Sequence, residues 1–589
     1  MARLQLTKRI SLVATVVLTT GVSLAQTDQG IWEAPFNHVV PPSWQNGQAL
    51  WDGEQLSAFA DPLDPHRFMA AHIAVIPRGD HRGRLLVMNW MRKDHVHGVQ
   101  HWAIVDVTGT VPRFSNHSLP MPGSDIELFC GGHAWTADGQ MLMAGGARYE
   151  NDTLFANRLC YRFDPTAPLG NSMWTREPDM AVERWYPTVT PMGDNPSGTD
   201  HLLVSGGWKD INNEYANRTY ESFLSDGVPG SGRWEQNALF GGRALFRGPQ
   251  VVCTDSFGIY PRDVLLSDGS KFSAGMASRS YRLTHTPEQP LQHPSWEVQP
   301  TADARTRWYG STFLMPDIHS ENGRYRDVVV RLGGALVTWD TSLCDPDSLR
   351  IPRADVEVCS AADDVSAVNW TWTPIAPMAF ARNNPNTTLL PEGSVLISGG
   401  RQDSGSQFVT NEPVMEAEIF HETPLSMRTL APSMTRRGYH ASTALLPDGR
   451  VIHGGGEKRE LDYEIFQPPY LTDGSVRPVV VNAPETLIGP YASQHRLSYA
   501  PLPAGIEVER VTMLKPMAHT HHADTNQRYV ELEIVNSGGG TGTPLFVDVV
   551  YPANSNVAPR GDYMLFLITT PQRVASRGTP SQAVWARIE

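Results

Sequence analysis

Short apolar segments framed by turn residues recur along most of the chain. In the clearest copies, an Asp-Gly or Glu-Gly pair precedes five residues rich in apolar and β-branched types, and a Gly-Gly pair follows. These copies are residues 138–146, 392–400 and 448–456. A turn, a strand and then glycines indicate a β-hairpin whose backbone packs closely against a neighbour. The pattern therefore predicts repeated antiparallel sheets.

Four weaker copies bring the number of repeats to seven. Three of them end at Gly206-Gly207, Gly275 and Gly333-Gly334, and a degenerate first copy covers residues 83–89. A second strand-like segment follows several copies, as at 159–163 and 417–420. Four short strands in a period of about 50 residues are typical of a kelch-type blade. The sequence predicts an all-β, seven-bladed kelch-like β-propeller; an array of β-sandwiches with chance glycines is the alternative.

The repeats stop after Tyr470, and prolines 468, 469 and 478 mark a boundary. Beyond it, apolar segments at 508–513, 529–534 and 563–568 read as strands. Their number and patterning suit an Ig-like β-sandwich. We expect a propeller over 26–475, with a short N-terminal extension, followed by a sandwich over 476–589.

The first 25 residues have the pattern of a signal peptide. Arg3, Lys8 and Arg9 are basic, residues 11–24 are mainly apolar, and Ser23-Leu24-Ala25 fits a cleavage site. The apolar segment is too short and too rich in Ser and Thr to favour a membrane span, and no other segment could form one. The sequence predicts an exported protein that starts near Gln26.

Charge and cysteine content narrow the possible partners. The net charge is −14, which excludes a polyanion such as nucleic acid as an expected partner. Export permits disulfides. Of five cysteines, Cys344 and Cys359 bracket a short insertion and are expected to form a local bridge. Cys160 with Cys253 is a weaker pairing. If both disulfides form, Cys130 has no cysteine partner.

Four segments carry residues with redox or metal-binding chemistry: 128–133, 183–188, 436–440 and 518–528. In the repeats, each lies upstream of the Gly-Gly strand, in or near the innermost strand of its blade. Innermost strands of different blades converge on the central channel. Each segment is a weak signal alone. Together they place two tyrosines, two histidines and one cysteine in a convergent scaffold.

This set resembles the copper-radical oxidases, the family of galactose oxidase and glyoxal oxidase. The resemblance covers about 460 residues, from the second repeat to the C-terminus. It implies a thioether cofactor made from Cys130 and Tyr186, with Tyr186 also a ligand of one copper ion. It further implies Tyr439 as the axial copper ligand and His440 as an equatorial ligand. Imidazoles with phenolates suit Cu(II), which accepts tetragonal N,O geometry.

The second histidine ligand lies in a group of three in the C-terminal domain. Alignment on Thr525, Gln527 and Arg528 assigns it to His521. His519 and His522 are rivals, and His519 is the more serious because it would share a strand face with His521. A zinc-like site made from all three histidines is a further alternative. Its geometry is poor, because consecutive strand residues point to opposite faces.

The resemblance also implies a reaction. Tyr439 takes the hydroxyl proton of the substrate, the Tyr186 radical abstracts a hydrogen atom, and O2 is reduced to hydrogen peroxide. Trp208 is the nearest candidate for a tryptophan stacked on the cross-linked ring, although it falls one residue early. A tryptophan of the core or rim explains Trp208 equally well.

The substrate is indicated only by class. The context of residues 184–187 is closer to the glyoxal oxidase branch. In the loop 258–262, Pro261 takes the place of galactose oxidase's substrate arginine, with Arg262 beside it. Small aldehydes, as hydrates, or simple primary alcohols are therefore expected rather than galactose. An extracellular glycan end group stays open, as does a copper-less propeller that binds carbohydrates or surfaces. A monomer is expected.

Overall fold

The structure is a computed structural model of the 589-residue chain. It describes the following residues: 28–38, 69–89, 99–122, 126–150, 153–193, 200–208, 220–237, 259–274, 280–283, 296–299, 307–315, 320–321, 324–325, 327–337, 350–360, 371–404, 412–421, 426–456, 462–540, 543–574 and 576–589. The predicted signal peptide, residues 1–25, lies outside these ranges. The described part of the chain is nearly all-β, which confirms the fold class that the sequence predicts.

The first half of the chain begins with two short strands and continues into four antiparallel four-stranded sheets. The opening strands are β1 (Ile31–Trp32) and β2 (Phe36–Asn37). Sheet 1 contains β3 (Ala70–Val75), β4 (Leu85–Asn89), β5 (Val99–Asp106) and β6 (Arg113–Pro120). The short strand β7 (Ile126–Glu127) comes next. Sheet 2 contains β8 (Gly132–Trp135), β9 (Met141–Ala144), β12 (Cys160–Phe163) and β13 (Trp174–Glu177). A hairpin of β10 (Ala147–Glu150) and β11 (Thr153–Ala156) is inserted after β9, and a 3₁₀ turn at Asn171–Met173 precedes β13. Sheet 3 contains β14 (Trp185–Pro191), β15 (Asp200–Trp208), β16 (Tyr220–Ser225) and β17 (Arg233–Asn237). Sheet 4 contains β18 (Asp263–Leu265), β19 (Lys271–Ser273), β20 (Ser280–Leu283) and β21 (Trp296–Gln299).

Three more sheets follow. Sheet 5 consists of β22, β25, β28 and β29, with two small hairpins inserted; the elements in order are β22 (Ser311–Leu314), β23 (Ser320–Glu321), β24 (Arg324–Tyr325), β25 (Val328–Leu332), β26 (Ala335–Val337), β27 (Arg350–Pro352), β28 (Val356–Ser360) and β29 (Thr371–Ile375). Sheet 6 contains β30 (Asn386–Leu389), β31 (Val395–Ser398), β32 (Glu416–His421) and β33 (Ser426–Pro432). Sheet 7 contains β34 (His440–Leu445), β35 (Val451–Gly456) and β36 (Asp462–Gln467), and β1 completes it by pairing with β36. The N-terminal strand thus joins the last sheet.

The C-terminal part has its own strands and core. After the short helix α1 (Pro469–Thr472) come β37 (Val480–Val481), β38 (Leu487–Gly489), β39 (Gln494–Tyr499), β40 (Val508–Leu514), β41 (Ala518–Thr520), β42 (Ala523–Asp524), β43 (Tyr529–Gly540), β44 (Thr543–Val550), β45 (Gly561–Thr569) and β46 (Val584–Ile588). The long strand β43 pairs with β40 through its first half and with β44 through its second. A separate apolar cluster, which includes Leu497, Val511, Val549 and Leu565, fills the space between these strands.

One hairpin leaves this C-terminal part and enters the ring of sheets. Strand β41 pairs with β3, the first strand of sheet 1, and β42 pairs with β41. The first strands of sheets 2 to 7 contact one another in order: β8, β14, β18, β22, β30 and β34. The last of them, β34, contacts β3 of sheet 1, and β41 contacts both β3 and β8. The β41–β42 hairpin therefore reaches the centre of the ring, where the first strands meet.

The seven sequence repeats coincide with the second strands of the seven sheets. An arginine before the first strand donates from Nη1 to the carbonyl oxygen of the first glycine of the Gly-Gly pair in sheets 3, 5, 6 and 7, at 2.8, 3.3, 2.7 and 2.9 Å. Each arginine also pairs with a glutamate on the third strand; the pairs are Arg184–Glu221, Arg307–Glu357, Arg382–Glu418 and Arg437–Glu464. Buried, hydrogen-bonded ion pairs of this kind fix local geometry. They hold the segment that enters each sheet against the glycines.

Substitution of Gly455 tests why the repeat needs glycine. Gly455 has φ +68°, and a Cβ there would lie 2.5 Å from the carbonyl oxygen of Ala70. We expect Gly455→Ala to destabilise the protein by roughly 2–4 kcal/mol, since both left-handed strain and a backbone clash act there. Gly505 is the matched control, because it has φ +85° and a Cβ added there would meet nothing within 4 Å. Equal losses of thermal stability in the two variants would rule out close packing as the cause.

Among the residues described, no helix has the length and apolar composition that crossing a membrane requires.

Candidate active site

A ring of residues in left-handed conformation lies at the start of successive first strands. Cys130, Tyr186, Tyr260, Tyr309 and Asn384 all have positive φ, between 44° and 65°. Non-glycine residues in this region are strained and concentrate at functional sites. Backbone hydrogen bonds link neighbouring members: the Tyr186 N–H donates to the Cys130 carbonyl at 2.8 Å, and the Tyr260 N–H to the Tyr186 carbonyl at 2.7 Å. The same local conformation therefore recurs from sheet to sheet, and four of these side chains join one buried cluster with Tyr439.

The C-terminal hairpin brings histidines to this cluster. Strand β41 ends at Thr520, and His521 and His522 form its turn with φ of 46° and 68°. The prediction that His519 and His521 share a strand face is therefore wrong, because the strand ends between them. The sequence could not show this, since only the pairing of β41 with β3 defines the turn.

The predicted site residues Cys130, Tyr186, Tyr439, His440 and His521 meet in one place. Possible ligand atoms of Cys130, His440 and His521 all lie within 4.8 Å of one another. Cys130 Sγ is 3.7 Å from His521 Nε2. The Tyr439 hydroxyl donates to the Tyr186 hydroxyl oxygen at 2.9 Å. None of the five side chains is more than 5% exposed.

His521 presents one ring nitrogen to the cluster. Thr520 Oγ1 donates to the carbonyl oxygen of Ala71 at 2.9 Å, so its oxygen is free to accept the Nδ1–H of His521 at 2.7 Å. A hydrogen bond at one ring nitrogen sets the tautomer and leaves the lone pair on the other. His521 Nε2, beside Cys130, is therefore the nitrogen of a neutral ring that has a lone pair available to bind a metal. Burial, followed by the neighbouring His440, lowers the pKa of His521 well below its usual value.

The two rival histidines make other contacts. Both ring nitrogens of His522 are hydrogen-bonded, to the Asn384 amide and the Asn386 amide oxygen, each at 3.1 Å. The backbone N–H of Thr443 donates to His519 Nδ1 at 3.4 Å. Within the described part of the chain, the three-residue metal cluster contains His521 and neither rival.

Protonation in the cluster is dominated by burial. Burial raises the pKa of the Tyr186 phenol well above its usual value, and Cys130 and Tyr439 add to the rise. Burial likewise raises the pKa of the Cys130 thiol, opposed by hydrogen bonds with Tyr186 and Trp185. A bound metal cation has the opposite effect, because it lowers the pKa of a phenol or thiol that binds to it. The donor set of two imidazoles and two phenols is one that Cu(II) accepts in tetragonal geometry. The residues present therefore fit a copper ion held by Tyr186, Tyr439, His440 and His521.

The tryptophan next to Tyr186 differs from the expected one. Trp185 lies against the Tyr186 ring with centroids 4.4 Å apart and planes 32° from parallel. Trp208 pairs with Trp185 across β14 and β15, and its ring meets the edge of Trp185 at 5.8 Å. Trp208 is thus one ring further out than the resemblance implies. The register of β14 and β15 puts Trp208 directly opposite Trp185, so that the Trp185 ring is the one against Tyr186.

Several residues of the site went unpredicted. The Tyr309 hydroxyl is 2.7 Å from that of Tyr439, and Tyr260 stacks on His521 with centroids 4.5 Å apart. His72 Nε2 accepts the backbone N–H of Cys130 at 3.2 Å. A sequence signal did exist for one of them: Arg307-Trp308-Tyr309 repeats Arg184-Trp185-Tyr186.

The cysteine pairings are not seen in the described residues. Cys160 and Cys359 are free and buried, as is Cys130. Cys160 packs in an apolar cluster with Leu142 and Phe223. The expected partners Cys253 and Cys344 lie outside the described ranges, so both disulfides stay predictions.

Known proteins are similar to this chain in sequence and in fold. A family model described as the galactose oxidase-like early set domain matches residues 477–588. A galactose oxidase from Gibberella zeae is 25% identical over 477 residues, which cover 78% of this chain and 61% of that protein. Aldehyde oxidase GLOX1 from Arabidopsis thaliana is 26% identical over 488 residues, covering 78% and 71%. The solved structure of a fungal alcohol oxidase in complex with copper has the same fold, with a TM-score of 0.66 at 18% identity, and the match covers 95% of this chain and 99% of that one.

The chain is similar in sequence to galactose oxidases and aldehyde oxidases and in fold to a copper alcohol oxidase, which supports the expected resemblance to copper-radical oxidases. It spans about three fifths of the length of the galactose oxidases it matches, 61%. Identity to galactose oxidase and to aldehyde oxidase is nearly equal, at 25% and 26%. Sequence identity therefore does not distinguish the substrate class of galactose oxidase from that of aldehyde oxidase.

Proposed function

We propose that the protein is a secreted mononuclear copper-radical oxidase. It oxidises the hydrate of a small aldehyde to a carboxylic acid, or a primary alcohol to an aldehyde. In either case two hydrogen atoms pass to O2, which is released as H2O2. The observation that carries this proposal is the meeting of Cys130, Tyr186, Tyr439, His440 and His521 in one buried cluster.

The proposed cofactor has two parts. Tyr186, Tyr439, His440 and His521 hold one copper ion, and a thioether joins Cys130 Sγ to the Tyr186 ring. When bound, copper supplies one-electron redox chemistry and favours the ionised form of its ligands. A thioether makes the tyrosine ring easier to oxidise, so that Tyr186 can hold the second oxidising equivalent.

The protein's own residues carry the proton and the hydrogen atom. Ionised Tyr439 accepts the hydroxyl proton of the substrate as general base, and Tyr309, 2.7 Å away, holds the Tyr439 oxygen in place. Oxidised Tyr186 then removes a hydrogen atom from the substrate carbon. The hydrogen bond between the two phenols, 2.9 Å long, supports these roles, because phenols this close can act on neighbouring atoms of one small molecule.

Substitution of Tyr439 tests its role as base. We expect Tyr439→Phe to lower kcat by about 10²–10⁴-fold, the usual contribution of a general base. Copper should still bind through the other three ligands, and the cross-linked Tyr186 should still form. Tyr309→Phe is the control, with a smaller loss of kcat, since it leaves the base intact. Equal losses in both variants would contradict the assignment.

The architecture proposed for this function follows the sheet order. We infer that the seven sheets are blades of a kelch-like propeller within residues 26–475, and that residues 476–589 form an Ig-like sandwich that contributes His521. Contacts between successive first strands around the ring support the first inference. The separate apolar core around Val511 and Val549 supports the second.

The substrate is proposed from the chemistry around the cluster. Pro261 carries no charged group, and the Arg262 guanidinium binds backbone carbonyls. A small aldehyde or alcohol is therefore favoured over a galactose-type sugar or glycan end group. Peroxide release from copper-loaded protein should be faster with small aldehydes and primary alcohols than with D-galactose. The reverse order would favour a galactose oxidase-like enzyme. No peroxide with any of them would favour a copper-less binding propeller.

Secretion and a monomeric state complete the proposal. The N-terminal sequence of protein exported by a host cell should begin near Gln26, and light scattering should give the mass of one chain. An intact N-terminus on the exported protein would contradict the predicted cleavage.

A further inference from the structure

Arg262 is a buried cation that joins three separate segments at the cluster. Its Nη2 donates to the His521 carbonyl at 2.9 Å, its Nε to the Gly310 carbonyl at 2.8 Å, and its Nη1 to the Tyr260 carbonyl at 2.9 Å. Only 3% of the residue is exposed. One guanidinium thus ties the turn of the C-terminal hairpin to the entrances of sheets 4 and 5.

The charge of Arg262 has no carboxylate partner within ion-pair distance among the described residues. The buried arginines that enter the other sheets each pair with a glutamate, as Arg184 does with Glu221. Asp263, next in the chain, is instead occupied by Lys271 and Ser205. An unpaired buried cation is costly unless negative charge is supplied nearby.

Two of the residues that Arg262 contacts lie next to the phenol of Tyr186. Tyr260 and His521, whose carbonyls accept from Arg262, have rings 5.1 and 5.2 Å from the Tyr186 ring, measured between centroids. Tyr439 in turn is hydrogen-bonded to Tyr186. Arg262 therefore lies behind residues that enclose Tyr186, where its charge acts on that ring.

We propose that Arg262 is a positioning residue of this site with two effects: it sets the position of His521, and its charge raises the reduction potential of the Tyr186 radical. The inference rests on the proposed function. Reduction of the radical restores a negative tyrosinate, which a nearby cation stabilises relative to the neutral radical. Arg262 is turned inward and does not act as a substrate-binding arginine.

Two substitutions separate the effects. Arg262→Met removes both the charge and the hydrogen bonds, whereas Arg262→Lys keeps the charge but cannot span three carbonyls. In Arg262→Met we expect the ratio of reduced to oxidised Tyr186 at a fixed potential to fall at least tenfold. This fall corresponds to a decrease of about 59 mV in the reduction potential of the one-electron couple. In Arg262→Lys the potential should stay near that of the wild type. Copper affinity, measured by chelator competition, should fall about 10–100-fold in both, as for lost orienting contacts.

The control variant is Arg382→Met/Glu418→Gln, which disrupts a buried arginine at another sheet entrance without changing the net charge. It should lose thermal stability and keep its potential. If Arg262→Met does not fold, Arg262→Gln replaces it, with the same expected shift. An unchanged potential in the neutral variant, or an equal shift in Arg262→Lys, would overturn the role of the charge. Unchanged copper affinity would overturn the positioning role. A wild-type protein that forms no radical would instead contradict the proposed function, and copper affinity would still test Arg262.

Discussion

Cys130→Ser is expected to fold and bind copper but to lose oxidase activity to the level of copper-free protein. Cys130 lies in a fully buried cluster, with its Sγ 3.7 Å from His521 Nε2. Serine fits the same space and cannot form a thioether, so Tyr186 keeps the oxidation potential of an ordinary phenol. We expect a stability loss of about 1–3 kcal/mol from the buried hydroxyl. The radical's absorption and peroxide release are the measurements.

Cys160→Ser is the matched control for this substitution. Cys160 is also free and fully buried, but it packs against Leu142 and Phe223 in an apolar cluster of sheets 2 and 3. It should lose similar stability and keep full activity per copper ion. Full activity in Cys130→Ser would contradict the assignment of the cofactor.

His521→Ala is expected to have the second largest effect, loss of stable copper binding. Removal of an orienting contact typically costs 10–100-fold in metal affinity, and loss of a ligand itself should cost more. His521 Nε2 faces Cys130, while its Nδ1 is held by Thr520. Copper content and affinity, measured by metal analysis after dialysis against a chelator, should therefore fall at least a hundredfold.

The neighbouring histidines provide the comparison. His519→Ala should keep stoichiometric copper, since its ring lies outside the metal cluster. His522→Ala should lose stability, because the hydrogen bonds to Asn384 and Asn386 are lost, yet retain copper. Loss of copper in His519→Ala with retention in His521→Ala would reverse the assignment.

Much of the fold could be predicted from local sequence. A turn, a strand and paired glycines recur because each second strand needs the same turn and the same close backbone contact, as at Gly455. All seven copies coincide with second strands. The C-terminal strands at 508–514, 529–540 and 561–569 follow from the same alternation of apolar residues.

What could not be predicted depends on contacts between distant segments. The pairing of β41 with β3 joins residues that are far apart in sequence, and it alone places His521 in a turn at the centre. The left-handed residues Cys130, Tyr186 and Tyr260 are likewise linked by backbone hydrogen bonds between successive sheets, which local sequence does not show. Arg262 showed no sequence sign of its three carbonyl contacts, because their acceptors come from three segments.

The contact that Trp208 makes differs from the one that the sequence motif implies. Trp208 contacts the Trp185 ring, and Trp185 lies against Tyr186. The residue types were sufficient to indicate the family, whereas the contact of each ring required the strand register.

The most direct test of the central claim is a mass spectrum of peptides from copper-loaded, air-exposed protein. We predict one peptide that contains both Cys130 and Tyr186, lighter than the sum of its parts by two hydrogen atoms. Separate, unlinked Cys130 and Tyr186 peptides after full copper loading would contradict the thioether cofactor and favour a binding propeller.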